Sequence, residues 1–105
     1  MANDWGASER KIARRVFDTA LHHELAEIMR TFKSMAANAS EPDEMWATEE
    51  FLSKARHAID GKYDFRYSQL DVVFGVLLRE GRISAEDISG LSEEKINHIA
   101  RIASL

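Results

Sequence analysis

The sequence predicts an all-α protein, and three observations support that prediction. Glycine and proline, which interrupt helices, number only five and one among 105 residues. Apolar residues recur at intervals of three and four, the spacing of one face of an α-helix. Residues that cap helix amino termini recur along the chain, and β-branched residues adjoin only at Val72-Val73. We therefore expect several helices in a single domain over residues 1–105.

The first predicted helix covers residues 8–38, with Ser8 as its cap. Its apolar stripe consists of Ile12, Val16, Ala20 or Leu21, Leu25, Ile28, Phe32 and Met35. About thirty helical residues span roughly 45 Å, whereas a compact domain of this size is roughly 34 Å across. The alternative is a break near Thr31 or Lys33, after which the chain folds back.

A helix longer than its own domain leaves part of its apolar stripe facing water. Burying each large side chain is worth about 1.5–3 kcal/mol, and a second copy of the chain supplies a matching stripe. We therefore expect an antiparallel homodimer in which the long helices cross. The predicted dimer interface consists of Leu25, Ile28, Phe32, Met35 and Met45.

The second predicted helix covers residues 41–60. Ser40 acts as its cap, Pro42 lies in the first turn, and Asp43 is the reciprocal acid of a capping box. Gly61 follows as a carboxyl-terminal stop signal.

Shorter helices are predicted for the rest of the chain. A third helix covers residues 68–81, from Ser68 with Asp71 three residues on, and ends at Gly81. Two closing helices share residues 84–104, and the segments that open them are Ser84 to Asp87 and Ser92 to Lys95.

The second helix has an apolar side and a charged side when it is projected at 100° per residue. The predicted core side consists of Thr48, Phe51, Leu52, Ala55 and Ile59. Trp46 falls almost opposite, and its neighbours there are Glu49, Glu50, Ser53, Arg56 and His57. An exposed Trp beside an Arg is typical of the centre of a protein interface. The alternative is that Trp46 is buried beneath the first helix of a partner subunit.

Charged and aromatic residues alternate in the connection from Lys62 to Tyr67. Without a second strand to pair with it, this segment is predicted to be an extended connector. Its rings should plug the seam between the second and third helices, and its charges should face solvent.

Composition excludes several classes of function. The net charge is −4, which disfavours nonspecific binding to nucleic acid or anionic lipid. There is no cysteine, so no disulfide, thiol nucleophile or zinc-thiolate site is predicted. We also found neither a membrane-spanning apolar run nor a secretion signal, which favours the cytoplasm.

Residues 45–81 resemble the signature region of the fluorescence recovery protein family. They read MWATEEFLSKARHAIDGKYDFRYSQLDVVFGVLLREG, and the resemblance is ungapped over uncommon residue types. It implies an all-helical homodimer without enzymatic activity or cofactor. Members of the family bind the photoactivated orange carotenoid protein, speed its return to the resting orange form and help detach it from the phycobilisome. This ends photoprotective quenching.

The resemblance also implies which residues bind the partner. Trp46 and Arg56 match a Trp and an Arg of the family, whereas Glu49 and Glu50 stand where the family usually has His and Asp. The predicted partner-binding residues are Trp46, Glu49, Glu50 and Arg56, with Ser53, Lys54 and His57 as secondary contacts. The expected partner is an orange carotenoid protein or its C-terminal-domain homologue. Through it, the chain is expected at the cytoplasmic face of thylakoid membranes, without inserting into them.

Two other hypotheses, a metal site and a DNA-binding surface, have weaker support in the sequence. His23 and Glu27 lie one helical turn apart, but metal sites usually need three or four protein ligands, so no metal is predicted. Residues 83–102 have the rhythm of a helix-turn-helix, yet Glu93 and Glu94 would face the phosphates. Arg10 to Arg15 form a better basic patch. The alternative function is a dimeric helical module that binds another partner, DNA or protein, in a host without phycobilisomes.

Overall fold

The computed structural model describes residues 4–105, and within them the chain is helical without strands. The helices are α1 Ala7–Asn38, α2 Pro42–Lys62, α3 Leu70–Arg79 and α4 Glu93–Ala103, with a 3₁₀ turn at Glu86–Ile88. The all-α prediction is therefore confirmed. None of the helices in this described part is long and apolar enough to cross a membrane. The chain divides into two compact units: residues 4–20 with 63–105, and Leu21–Lys62.

Helix α1 is continuous for 32 residues, so the predicted long helix is confirmed and the alternative, a break near Thr31 or Lys33, is wrong. Its start also differs from the prediction. Ser8 lies inside the first turn, and the Glu9 side chain accepts a hydrogen bond from the Gly6 N–H at 3.2 Å. The Glu9 carboxylate thus accepts from an amide that has no partner within the helix.

Helices α3 and α4 form the core of the unit that contains the chain's carboxyl terminus. The largest fully buried side chains there are Leu70, Phe74, Leu77, Ile88 and Ile99. Gly75 allows the two helices to approach closely, because a Cβ at this position would lie 2.7 Å from the Ile102 Cβ. Any larger residue would force the helices apart.

The rings of the connector pack against the beginning of the chain, which corrects the prediction that they fill the seam between the second and third helices. Phe17 meets Tyr63 and Phe65 edge to face, at 5.4 and 4.9 Å between centroids. Trp5 lies 5.9 Å from Tyr67. Rings this far apart in tilted arrangements attract each other through their quadrupoles. The prediction that the charges face solvent is confirmed only in part. Arg66 is exposed and forms an ion pair with Asp64, whereas the Lys62 side chain is largely buried.

The predicted basic patch supports this aromatic cluster. The Arg14 guanidinium lies 3.6 Å from the Phe65 ring centroid, and that of Arg10 lies 5.1 Å from the Tyr67 centroid. Arg10 also donates a hydrogen bond to the Trp5 carbonyl at 2.9 Å. The guanidinium groups of Arg10 and Arg14 contact aromatic rings, and that of Arg10 also contacts the backbone. Both are therefore less available to bind phosphates.

Three helix ends differ in detail from the predictions. The predicted capping box of α2 is wrong in both of its members. The Ser40 hydroxyl donates to the Glu44 carboxylate instead of accepting from a helix amide. Glu44, and not Asp43, accepts from the Ser40 and Glu41 amides at 3.2 and 3.1 Å. Gly61 does not stop α2, which continues to Lys62. Helix α3 begins at Leu70 without a side-chain cap, and Ser68 precedes it.

The helix-end residues that were predicted in the last third of the chain do form turns and caps in the structure. Gly81 follows α3 with a φ of 75°, a conformation that glycine adopts without strain. Ser84 and Asp87 form a reciprocal box, although it opens only a 3₁₀ turn. Ser92 caps α4 by accepting from the Lys95 N–H at 3.2 Å.

In the unit Leu21–Lys62, the second part of α1 and all of α2 form an antiparallel hairpin. The Glu24 carboxylate and the Lys62 ammonium lie 2.8 Å apart, and both side chains are largely buried. Near the tip, Phe32 and Ala36 of α1 line the same groove as Met45 and Leu52 of α2. This hairpin carries the candidate site.

Candidate partner-binding face

Trp46 and Thr48 mark the two sides of α2. Thr48 is buried, and its hydroxyl donates a hydrogen bond to the Glu44 carbonyl at 2.9 Å. Trp46 is 61% exposed, so the predicted exposure of this indole is confirmed within the chain. A large aromatic side chain left in water favours contact with another molecule, because it offers much area for few rotatable bonds.

The other predicted partner-binding residues lie on the same side of α2 as Trp46, and all are exposed. We call this set the α2 face: Trp46, Glu49, Glu50, Ser53, Lys54, Arg56 and His57. Helical spacing places these residues within about 80° of Trp46 on either side. The structure thus groups them, while their part in binding remains a prediction.

Charges along the α2 face pair with neighbours one turn away. Lys54 and Glu50 form an ion pair at 2.8 Å, and Arg56 lies 3.9 Å from Asp60. The hydrogen bond from Lys54 lowers the pKa of Glu50, and the same bond raises the pKa of Lys54. Both pairs are open to solvent, so they contribute little to stability and leave Arg56 available to a partner.

The opposite side of α2 is only partly the core that was predicted. Phe51, Ala55 and Ile59 are half-buried as that pattern requires. Leu52 is 37% exposed, so its assignment to the core is wrong for the single chain. Leu52 instead lines two apolar grooves of the hairpin.

These grooves contain all the residues predicted for the dimer interface except Met35, which is half-buried. One groove, of about 320 Å³, is lined by Phe32, Ala36, Ala39, Met45, Thr48, Glu49 and Leu52. The other, of about 500 Å³, is lined by Leu25, Ile28, Met29, Phe32, Lys33 and Leu52. Phe32 and Leu52 belong to both, so the grooves form one apolar surface.

Met29 is part of this surface and was missed by the sequence prediction. Its side chain is 55% exposed, next to Leu25 at 43%. A signal for it existed, since Met29 lies four residues after Leu25 and three before Phe32. The stripe is wider than the single row of residues assigned to it.

No metal site is formed by the described residues 4–105, in which no three His, Asp or Glu side chains are grouped as ligands. His22, His23 and Glu27 lie exposed on α1. The hairpin presents one exposed indole, charged side chains and an apolar surface.

The fold and the exposed face define an all-helical protein with a long hairpin, and the comparisons with known proteins place it more narrowly. The model of the family described as "Photoprotection regulator fluorescence recovery protein" matches residues 5–103. The chain belongs to the fluorescence recovery protein family, and its role lies in recovery from photoprotection.

A related sequence and two solved structures agree with that assignment. The fluorescence recovery protein of Synechocystis sp. is 37% identical over 101 residues, which cover 96% of this chain and 93% of the relative. The solved structure of the Fremyella diplosiphon fluorescence recovery protein superposes with a TM-score of 0.93 at 31% identity, covering 97% of this chain and all of that one. The solved Synechocystis structure gives the same TM-score at 36% identity, with the same coverage.

Proposed function

We propose that this chain is a non-enzymatic, dimeric regulator of an orange carotenoid protein or of its C-terminal-domain homologue. It binds the photoactivated red form through the α2 face and accelerates the return to the resting orange form, which ends photoprotective quenching. It acts in the cytoplasm, at the thylakoid surface only through its partner. The observation that supports this most directly is the 61% exposed Trp46 in a member of this family.

Binding alone is sufficient for such an activity. A protein hastens a conformational return when it binds the transition state between two forms more tightly than it binds the starting form. It shifts their equilibrium only by the difference between its affinities for the two. The adjacent Glu49 and Glu50 point about 100° apart on a helix, so they do not form an acid/base pair across a substrate.

The dimer is proposed from the apolar surface of the hairpin. Leu25, Met29, Met45 and Leu52 are all exposed in the single chain. Isolated chains seldom keep so many large apolar residues together in water. A second copy, related by a twofold axis, presents the same surface and covers it without any further sequence.

The test compares recovery of the red carotenoid protein with and without this chain. Wild-type protein should shorten the red-to-orange recovery followed by absorbance. Trp46→Ala should weaken binding about thirtyfold, as expected for truncation of an interface hot spot, and should abolish the acceleration at low protein concentration. Arg56→Glu should act in the same direction.

Arg101→Glu is the matched control, since it reverses an exposed charge on α4. It should accelerate recovery as the wild type does. Helicity and the mass from light scattering should stay unchanged in all variants. If Trp46→Ala loses the dimer as well as the activity, Trp46 belongs to the dimer interface and the proposed role of the α2 face is wrong.

A further inference from the structure

The beginning of α2 is the most one-sided stretch of charge on the hairpin. From Glu41 to Ser53 it contains five carboxylates and no basic residue, whereas the whole chain has a net charge of only −4. The five acids are Glu41, Asp43, Glu44, Glu49 and Glu50. Trp46 lies among them as the most exposed aromatic residue that the structure describes.

Carboxylates stand on both flanks of that indole. Asp43 lies one turn before Trp46 and Glu49 one turn after it, and their directions differ from that of Trp46 by about 60° to opposite sides. Glu50 lies about 40° away on the Asp43 side. The flat indole ring of Trp46 thus has a negatively charged side chain on either side.

Three of these acids, Glu41, Asp43 and Glu49, have no side-chain partner among the described residues, and Asp43 and Glu49 are the two of them that flank Trp46. The Glu44 carboxylate accepts hydrogen bonds from the Ser40 and Glu41 amides, and Glu50 forms an ion pair with Lys54. In the part of the chain that the structure describes, Asp43 and Glu49 have no basic partner and both are exposed. Their charge therefore remains available to a cation from outside.

We propose that Trp46, Asp43 and Glu49 receive an arginine from the surface of the partner protein. Its guanidinium stacks on the indole and donates hydrogen bonds to the flanking carboxylates. This rests on the proposed function, because it names the chemistry of the partner that the α2 face contacts. Tryptophan is the best aromatic partner for a cation, and guanidinium combines a flat face with donors that match carboxylates, which lysine lacks.

Charge complementarity argues for this occupant over others. Nucleic acid would place phosphates against carboxylates and is repelled. A bare metal ion finds no group of three acidic or histidine ligands among the described residues. An arginine satisfies both the exposed ring and the two unpaired acids at once.

The first experiment tests the contact without the natural partner. In a Trp5→Phe variant all indole fluorescence comes from Trp46, and Trp5 is replaced by another ring at a site where its Nε1 has no hydrogen-bond partner. The probe is an acetylated, amidated Gly-Arg-Gly-Arg-Gly peptide at low ionic strength. The matched probe has citrulline in place of arginine, which keeps the planar shape and removes the charge.

The arginine peptide should change Trp46 emission at about a tenfold lower concentration than the citrulline peptide, and the difference should shrink with added salt. Glu49→Gln in the same background should reduce it severalfold. Glu41→Gln makes the same change of charge on the far side of the helix and should leave it nearly intact. Equal responses to both peptides, or equal effects of both variants, would overturn the proposal.

The second experiment separates this proposal from the proposed function. In the complex with photoactivated orange carotenoid protein, Asp43→Asn with Glu49→Gln should weaken binding about tenfold at low salt and flatten its salt dependence. Unchanged affinity in a complex that still accelerates recovery would refute the arginine contact and leave the function standing. A selective arginine response in a protein that fails to accelerate recovery would support the arginine contact and refute the proposed function.

Discussion

The Glu9 side chain ties the start of α1 to the start of α4, more than 80 residues later in the sequence. Its carboxylate accepts from the Ser92 amide at 2.8 Å and from the Lys95 ammonium at 3.1 Å, besides the Gly6 amide. Lys95 is buried and also donates to the Asp4 carbonyl. Burial by itself raises the pKa of Glu9, but the hydrogen bonds from Ser92, Lys95 and Gly6 together lower it below its ordinary value of 4.5.

A carboxylate with a lowered pKa makes stability depend on pH in a definite direction. Its contribution is complete above the pKa of the unfolded chain and is lost as the pH falls through the pKa of the folded state. We expect the free energy of unfolding to fall below a pH of about 4.5. Glu9→Gln should cost about 1.5–3 kcal/mol near neutral pH and should show a weaker decline in acid.

Urea unfolding followed by circular dichroism at a series of pH values measures this effect. Glu86→Gln is the control, because Glu86 is exposed in the 3₁₀ turn. Its profile should follow that of the wild type. Identical pH dependence in Glu9→Gln and wild type would show that the carboxylate does not hold these segments together.

At the scale of elements, two glycines inside helices have opposite roles. Gly75 lies where α3 meets α4, and an added Cβ would strike Ile102 and lie 3.3 Å from the Ile99 carbonyl. Gly61 lies near the end of α2, and outside its own turn of the helix no atom lies within 4 Å of the position of its Cβ. The first is required by packing, whereas the second only weakens its helix.

Alanine substitution separates these roles. Gly75→Ala should destabilise the protein by about 1–3 kcal/mol, because the packed helices must shift to admit the methyl group. Gly61→Ala should stabilise it by up to about 0.5–1 kcal/mol, because alanine restricts the unfolded chain and favours helix. Thermal unfolding of both variants, measured side by side, checks the signs. A gain in stability from Gly75→Ala would mean that α3 and α4 are not closely packed there.

Helix α1 illustrates why the elements form where they do. Its amino-terminal part buries Ala13, Val16, Phe17 and Ala20. These buried side chains stabilise the part of the helix that belongs to the unit with the carboxyl terminus. Beyond Leu21 no residue of α1 is fully buried. The helix nonetheless continues to Asn38, since good helix formers dominate and neither glycine nor proline interrupts it.

For the whole molecule, we propose that the apolar surface of the hairpin forms the dimer interface. Phe32 is common to both grooves, so a charge there would have to be buried in any dimer formed through them. Phe32→Glu should therefore yield monomers at micromolar concentration. Size-exclusion chromatography with light scattering measures the mass directly.

Thr31→Glu is the matched control, because it places the same charge on the adjacent, exposed position. It should leave the mass unchanged. A dimer that persists in Phe32→Glu would move the interface to another part of the chain. A lower mass in Thr31→Glu alone would show that the long helix associates through its other side.

The sequence by itself determined the helices, because local signals are enough to specify them. Apolar spacing fixed the length of α1, Gly81 and Ser92 marked real helix ends, and the projection of α2 placed Trp46 on the exposed side. The family was also readable from residues 45–81. All of these depend on neighbours within one or two helical turns, whose geometry is the same in every helix.

Only the tertiary structure decided which parts meet. That the connector rings pack on Phe17 and Trp5 depends on contacts between segments far apart in the sequence. The same is true of the contacts by which Glu9 joins the start of α1 to Ser92 and Lys95. The exposure of Leu52 and Met29 likewise depends on what covers them and not on their spacing. Hydrophobic periodicity gives a side chain its direction, but burial depends on partners far away in the chain, and spacing carries no information about them.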